Sequence, residues 1–176
     1  MKNSTKFSII VFLLLLIGVH FILNFSDSSS DGFERVFITK VVDGDTVKVG
    51  DRKIRIIGIN TPELKKEKLS REARDFGIKM LTNSHVYLEK DVEEKDRYGR
   101  ELRYVWIEVP KSDSYNEIIS KNYSALILKE GLARTYTFKP NTKYVDVFKS
   151  IEKESKKNKI GMWKISKNGT TRGDKK

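Results

Sequence analysis

The chain has 176 residues, and 35 Lys and Arg against 24 Asp and Glu give it a formal net charge of +11, which calls for an acidic partner. That length supports one domain with a modest core and excludes a second. There is no cysteine and there are only two histidines, His20 and His85, so a disulfide framework, a thiolate zinc site, a Cys nucleophile and a histidine metal cluster are all excluded, and any bound metal must use oxygen ligands.

Lys2 and Lys6 precede Phe7–Phe25, a run of 19 residues whose apolar character is broken only by Ser8, Gly18, His20 and Asn24. As a helix it would be roughly 28 Å long, against ~30 Å of hydrocarbon in a bilayer. The expectation is an N-terminal transmembrane or signal helix: the length of the run favours an uncleaved anchor, while Ser28 and Ser30 offer a cleavage site. With Lys2 and Lys6 held inside, the rest of the chain is extracytoplasmic, either membrane-anchored through residues 7–25 or secreted. Residues 1–30 thus form a signal or anchor segment with its polar linker, and 31–165 form the domain. Residues 166–176 (SKNGTTRGDKK) read as a solvated basic tail, whose Arg172-Gly173-Asp174 is assigned no function. Of the charged residues only Lys2, Lys6 and Asp27 precede residue 31, so the positive charge belongs to the domain.

Within the domain, Glu34–Val42, Thr46–Val49 and Lys53–Ile59 are rich in Val, Ile and Thr and are separated by Asp43-Gly44 and Gly50-Asp51, which predicts a three-strand meander. Ser70 is expected to cap a helix reaching about Thr82, with Ala73, Phe76, Met80 and Leu81 on one face. Val86–Val92 and Leu102–Ile107 predict two more strands, joined through a polar segment. Helical patterns follow at about Ser124–Glu130, stopped by Gly131, and Thr142–Lys157, with Val145, Phe148 and Ile151 as the buried stripe. Five strands and about three helices predict an α+β fold in which helices pack on a small barrel.

Four clusters remain once the strands are set aside: Asp43-Gly44-Asp45-Thr46, Arg55, Asn60-Thr61-Pro62-Glu63 and Asp96-Arg97-Tyr98-Gly99-Arg100. Each alone also fits a turn or an exposed strand position. Together Asp43, Asp45, Asn60, Glu63 and main-chain carbonyls offer hard oxygen donors suited to Ca²⁺ or Mg²⁺. Arg55 sits mid-strand in the apolar run Ile54–Ile59, where a guanidinium calls for an anion. A phosphodiester supplies one, and two arginines with a divalent cation are the means of stabilising the charge of a pentacoordinate phosphoryl transition state.

The order DGDT, an arginine-bearing apolar strand ending in NTPE, then DRYGR, then GLARTYTFKPN, and a helix ending in GMW resembles the staphylococcal nuclease (thermonuclease) family over about Val36–Trp163. The resemblance implies a five-stranded OB-fold barrel with three helices, and an endonuclease that uses one Ca²⁺ ion to cut DNA and RNA and leaves 3′-phosphates. It implies Asp45, Asn60 and the Thr61 carbonyl around the metal with Asp43 nearby, Arg55 and Arg100 as catalytic arginines, Glu63 as general base, and Tyr98 and Tyr136 lining the nucleotide pocket. Lys65 and Lys66, with Lys68 and Arg71, would steer and bind polyanions, and Phe138 joins the two tyrosines as a candidate for stacking bases. The chain is expected to act as a monomer.

Three departures from the family pattern stand out. Asn60 replaces a metal-binding aspartate and removes a negative charge, the loop Glu63–Glu72 is about five residues shorter, and the segment of about Glu108–Lys121 is longer by roughly ten. The missing charge keeps a rival reading open, that of an OB-type domain that binds nucleic acid without cutting it. A basic membrane-surface protein would explain the anchor and the charge, but not the clustered motifs.

Overall fold

The computed structural model describes residues 32–174. The expected membrane or signal segment lies outside them, and among the described residues no helix is long and apolar enough to cross a membrane.

The strands are β1 (Phe33–Phe37), β2 (Lys40–Asp43), β3 (Thr46–Val49), β4 (Arg52–Ile56), β5 (Gly58–Asn60), β6 (His85–Glu89), β7 (Glu101–Trp106) and β8 (Arg134–Tyr136). The helices are α1 (Ser70–Leu81), α2 (Tyr115–Lys121), α3 (Tyr123–Lys129), α4 (Val145–Lys157) and the short α5 (Met162–Ile165). Six strands form one sheet in the order β1-β6-β7-β4-β3-β2, antiparallel except for the β4–β7 pair, and β5 pairs with β8 apart from it. The edge strands β1 and β2 are consecutive pieces of chain separated only by Ile38 and Thr39, so the sheet curls until its two edges are joined covalently. The result is a small mixed barrel.

Five strands were expected, and the difference comes from bending. Glu34–Val42 divides because β1 pairs with β6 whereas β2 pairs with β3. Lys53–Ile59 divides at Ile57, whose N–H donates to the Arg103 carbonyl (2.9 Å), and at Gly58, which has φ +90°. A Cβ at Gly58 would sit 2.3 Å from the Phe148 ring, so the bend needs glycine for both conformation and space. β8 lies in the GLARTY segment and was not predicted, its three residues being too few to show alternation. Ser70 is the first helical residue of α1, and Leu69, at φ +67°, occupies the cap position without a side-chain hydrogen bond. Helix α2 falls in the longer segment before α3, where no element was expected; Ser114 accepts a hydrogen bond from Glu117 N–H at its start.

Val36, Val41, Val47, Ile54, Leu88 and Val105 fill the barrel interior. Phe148 and Ile151 of α4 pack on them with Tyr144, which precedes the helix and takes the buried place expected of the half-buried Val145. Helix α1 packs on β2 through Ala73, Gly77 and Leu81, with Phe76 and Met80 partly buried. This places the β2–β3 turn between two bodies: a Cβ at Gly44 would lie 2.7 Å from Thr61 Cγ2 and 3.0 Å from Ala73 Cβ. From α3, the buried Tyr123 hydroxyl donates to the Gly44 carbonyl (2.9 Å).

The tail does not follow its expected course, because Thr171 is only 8% exposed and residues 168–174 are bonded to the domain. Arg134 Nη1 donates to the carbonyls of Asn168 (3.0 Å) and Thr171 (3.2 Å). Asp174 N–H donates to the Thr135 carbonyl (2.9 Å), and its carboxylate accepts from the Thr137 N–H (2.9 Å) and hydroxyl.

Replacing Tyr123 by Phe leaves the buried Gly44 carbonyl without this donor. Urea unfolding should show a loss of about 1–3 kcal/mol; a loss under about 0.5 kcal/mol would mean that the turn is held by packing alone.

Candidate active site

The β2–β3 turn, β4, the end of β5, the β6–β7 turn and the segment after β8 meet around one open cavity of about 690 Å³. Asp43, Asp45, Arg55, Asn60, Thr61, Glu63, Tyr98, Arg100 and Tyr136, all expected from the sequence, line it together. Lys65 and Lys66 do not line it; both are exposed on the loop after Glu63, with Lys65 at φ +65°.

Asp45 ties the turn to the Asn60–Glu63 segment. Its Oδ2 accepts from the Thr61 N–H (2.8 Å) and hydroxyl (3.1 Å), and its Oδ1 accepts from the Thr46 hydroxyl (3.0 Å). Asp43 Oδ1 in turn accepts from Asp45 N–H (3.1 Å). Burial, and then the neighbouring Asp45 carboxylate, push the Asp43 carboxyl up to about 6. The half-buried Asp43 and the buried Asp45 thus place two carboxylates side by side.

Arg55 is 3% exposed. Its Nη1 donates to the Ile56 carbonyl (2.6 Å), its Nη2 to the Ile59 carbonyl (2.8 Å) and Asn60 Oδ1 (3.2 Å), and Nη2 lies 3.3 Å from Asp45 Oδ2. The guanidinium also sits 5.0 Å from the centroid of the Phe138 ring. Burial lowers the Arg55 pKa while Asp45 opposes that shift. The arginine expected to meet an anion is therefore largely occupied in closing the bend between β4 and β5.

On the opposite wall, Asp96 Oδ1 accepts from the N–H groups of Tyr98 (2.9 Å) and Arg100 (3.0 Å), and Gly99 turns the chain at φ +77°. The Arg100 side chain bonds Asp96 Oδ2 through Nε (2.7 Å) and Nη2 (2.6 Å). Burial works against the ionised Asp96, but hydrogen bonds from the Arg100 side chain and main chain and from Tyr98 outweigh it and hold its carboxyl below the ordinary value. Tyr98, 69% exposed, stands at the lip with Arg97 against its ring, while Tyr136 and Phe138 pack edge to face deeper in the cavity.

Glu63 is exposed and accepts from Lys66 Nζ (2.8 Å). That hydrogen bond, with the charge of Lys66 behind it, keeps the Glu63 carboxyl below its usual range. Lys66 thus acts on a cavity residue from outside the cavity. Four cavity cations lay outside the residues singled out for the site: Lys95, Arg97, Lys139 and Arg172. Arg97 and Lys139 lie inside the DRYGR and KPN motifs and were within reach of the sequence, whereas nothing in the composition of the tail marks Arg172.

Among the described residues no three His, Cys, Asp or Glu side chains gather as a metal site. The donors are instead two carboxylates with main-chain oxygens, because the Asn60 amide oxygen expected among them accepts from Arg55. All are hard ligands; Asp45 already faces Arg55, but burial and the Asp45 carboxylate raise Asp43, so added positive charge is favoured there and the set fits one hard divalent cation. Because the Asp43 pKa is raised in the folded state, protonating it stabilises the fold as pH falls through about 6. In chelator the melting temperature should rise from pH 7 to pH 5.5, and Asp43→Asn should flatten that rise. An identical pH dependence in the two proteins would remove Asp43 as its source.

A family model described as staphylococcal nuclease homologue matches residues 53–165. The thermonuclease of Staphylococcus hyicus is 34% identical, over 92% of this chain and 98% of its own length. That of Staphylococcus intermedius is 32% identical, over 93% and 99%. Endonuclease YncB of Bacillus subtilis is 34% identical, over 78% of this chain and 65% of its own length. With the barrel in place and the DGDT, NTPE and DRYGR turns gathered on one cavity, the chain belongs to the staphylococcal nuclease family.

Proposed function

We propose that the chain is a calcium-dependent endonuclease that hydrolyses phosphodiester bonds of DNA and RNA, leaves 3′-phosphates and works outside the cytoplasm. The nuclease activity itself follows from the family and from the thermonuclease and endonuclease relatives. One observation carries the finer reading: Asp43, Asp45, Glu63 and two arginines line a single cavity beside the exposed Tyr98 and the half-buried Tyr136 and Phe138. An extracytoplasmic site of action rests on Lys2 and Lys6 ahead of the apolar run Phe7–Phe25.

Asp45, Asp43 and the Thr61 carbonyl would hold the cation. When bound, calcium would polarise a nonbridging phosphate oxygen and offset negative charge as it develops. Asn60, expected among the ligands, has its carboxamide oxygen turned to Arg55, so its support goes to the arginine. Glu63 is held ionised by Lys66 and is therefore in the state that accepts a proton from the attacking water. Arg100, fixed to Asp96 through Nε and Nη2, has Nη1 left to meet an equatorial oxygen. Arg55 sets positive charge under the same phosphate without moving, because its partners are main-chain carbonyls on both sides of the bend. Tyr98 and Tyr136 would stack on bases or sugars, and the net charge of +11 would draw the polyanion in.

Plasmid DNA incubated with the full chain should be cut in Ca²⁺ and left intact in chelator, and the products, carrying 3′-phosphates and 5′-hydroxyls, should become ligatable only after both removal of the 3′-phosphate and phosphorylation of the 5′ end. Gel retardation that survives chelator without any cutting would select a binding module instead. Arg100→Lys should lower kcat/KM by more than tenfold, since an ammonium lacks the planar fork that grips Asp96 and phosphate together. A smaller loss, less than about 1.4 kcal/mol of barrier, would take Arg100 out of that role.

A further inference from the structure

Arg172, in a tail to which the sequence gives no role, lines the cavity. Its guanidinium carbon lies 6.0 Å from the Tyr136 ring centroid. Arg55 is consumed by carbonyls, and Arg100 gives Nε and Nη2 to Asp96. Arg172 is exposed, and its guanidinium has no hydrogen-bond partner among the described residues.

The backbone that carries it is fastened on both sides. Asn60 Nδ2 donates to Thr171 Oγ1 (3.1 Å) and to the Arg172 carbonyl (3.3 Å). Thr171 Oγ1 lies 3.4 Å from the Thr61 carbonyl, and the Thr170 hydroxyl donates to the Lys68 carbonyl (3.1 Å). At Gly173 a Cβ would meet Arg134 Nε at 2.8 Å and the Thr135 carbonyl at 2.9 Å, so the chain lies flat against β8. An aspartate at position 60 would oppose the Arg172 carbonyl with a second oxygen; asparagine supplies the N–H that the contact needs.

We infer that residues 170–174 form a strap, latched by Asn60, which holds Arg172 at the cavity as a positioning residue for a backbone phosphate of the nucleic-acid strand next to the one being cut. The inference rests on the nuclease reading and adds a substrate subsite to it. A guanidinium held beside an aromatic ring, with its donors free, suits an internucleotide phosphate whose neighbouring base stacks on that ring.

The test compares a single-stranded decadeoxynucleotide with a dinucleoside monophosphate, which has no second phosphate, in Ca²⁺ with the full chain. Arg172→Ala should raise KM for the decamer about tenfold with kcat within about twofold, leave the dinucleoside monophosphate unchanged, and reduce the salt slope by about 0.7. Arg172→Lys should recover most of the decamer KM, and Thr171→Val, which frees the strap but keeps the arginine, should repeat the decamer-only loss. Unchanged kinetics on both substrates, equal losses on both, or faster cleavage by Arg172→Ala would each overturn the inference. A wild-type chain that cuts neither substrate would bring down the nuclease reading instead, a distinct outcome.

Discussion

The structure turns on a buried positive charge. Arg55 enters from β4, and its guanidinium is received by the Ile56 and Ile59 carbonyls, the Asn60 amide oxygen and Asp45. Burying a guanidinium is costly unless its donors are met, and here they are met by the chain segments that the bend between β4 and β5 brings around it. The same contacts fix where Asn60 and Thr61 emerge. Thr61 then binds Asp45, and Asp45 fixes the turn that carries Asp43. Fold and site are therefore one hydrogen-bonded object, and neutralising Arg55 would disturb the bend, the acids and the cavity floor together.

Much of this could be read in the residues, and the failures have physical causes. The β-branched runs located the main strands because burial on a barrel demands them, and Gly131 ended α3 as expected. What periodicity cannot show is a strand that changes partners midway: Glu34–Val42 keeps its pattern through the corner at Ile38-Thr39 although its two halves lie at opposite edges of the sheet. Helix α2 was legible in principle, since Ser114-Tyr115-Asn116-Glu117 has the spacing of a capping box. Its low apolar content concealed it.

For the site, the turns carried the information. Asp43, Asp45, Thr61 and Asp96 need their side chains for local hydrogen bonds and also face the cavity, so a motif that looks like turn chemistry and one that looks like catalysis are here the same residues. Lys65 and Lys66 stand outside the cavity because charge density in a loop says nothing about which way the loop points; Lys66 points at Glu63. Asn60 reads in sequence as a lost charge. In three dimensions its amide N–H is a donor with two acceptors waiting, both from residues more than a hundred positions away, which no local pattern could reveal.

The barrel's closure bears on how the chain comes together in time. β1 finds its partner only in β6, so Phe33 waits for Glu89, and the mixed pair of β4 with β7 waits for Glu101 and beyond. A polypeptide emerging N-terminus first would hold β2, β3 and β4 as a hairpin ribbon with unsatisfied edges until more than half its length had emerged. Helix α1, which packs on β2 and precedes β6 in the chain, is placed to shield that ribbon from neighbouring chains.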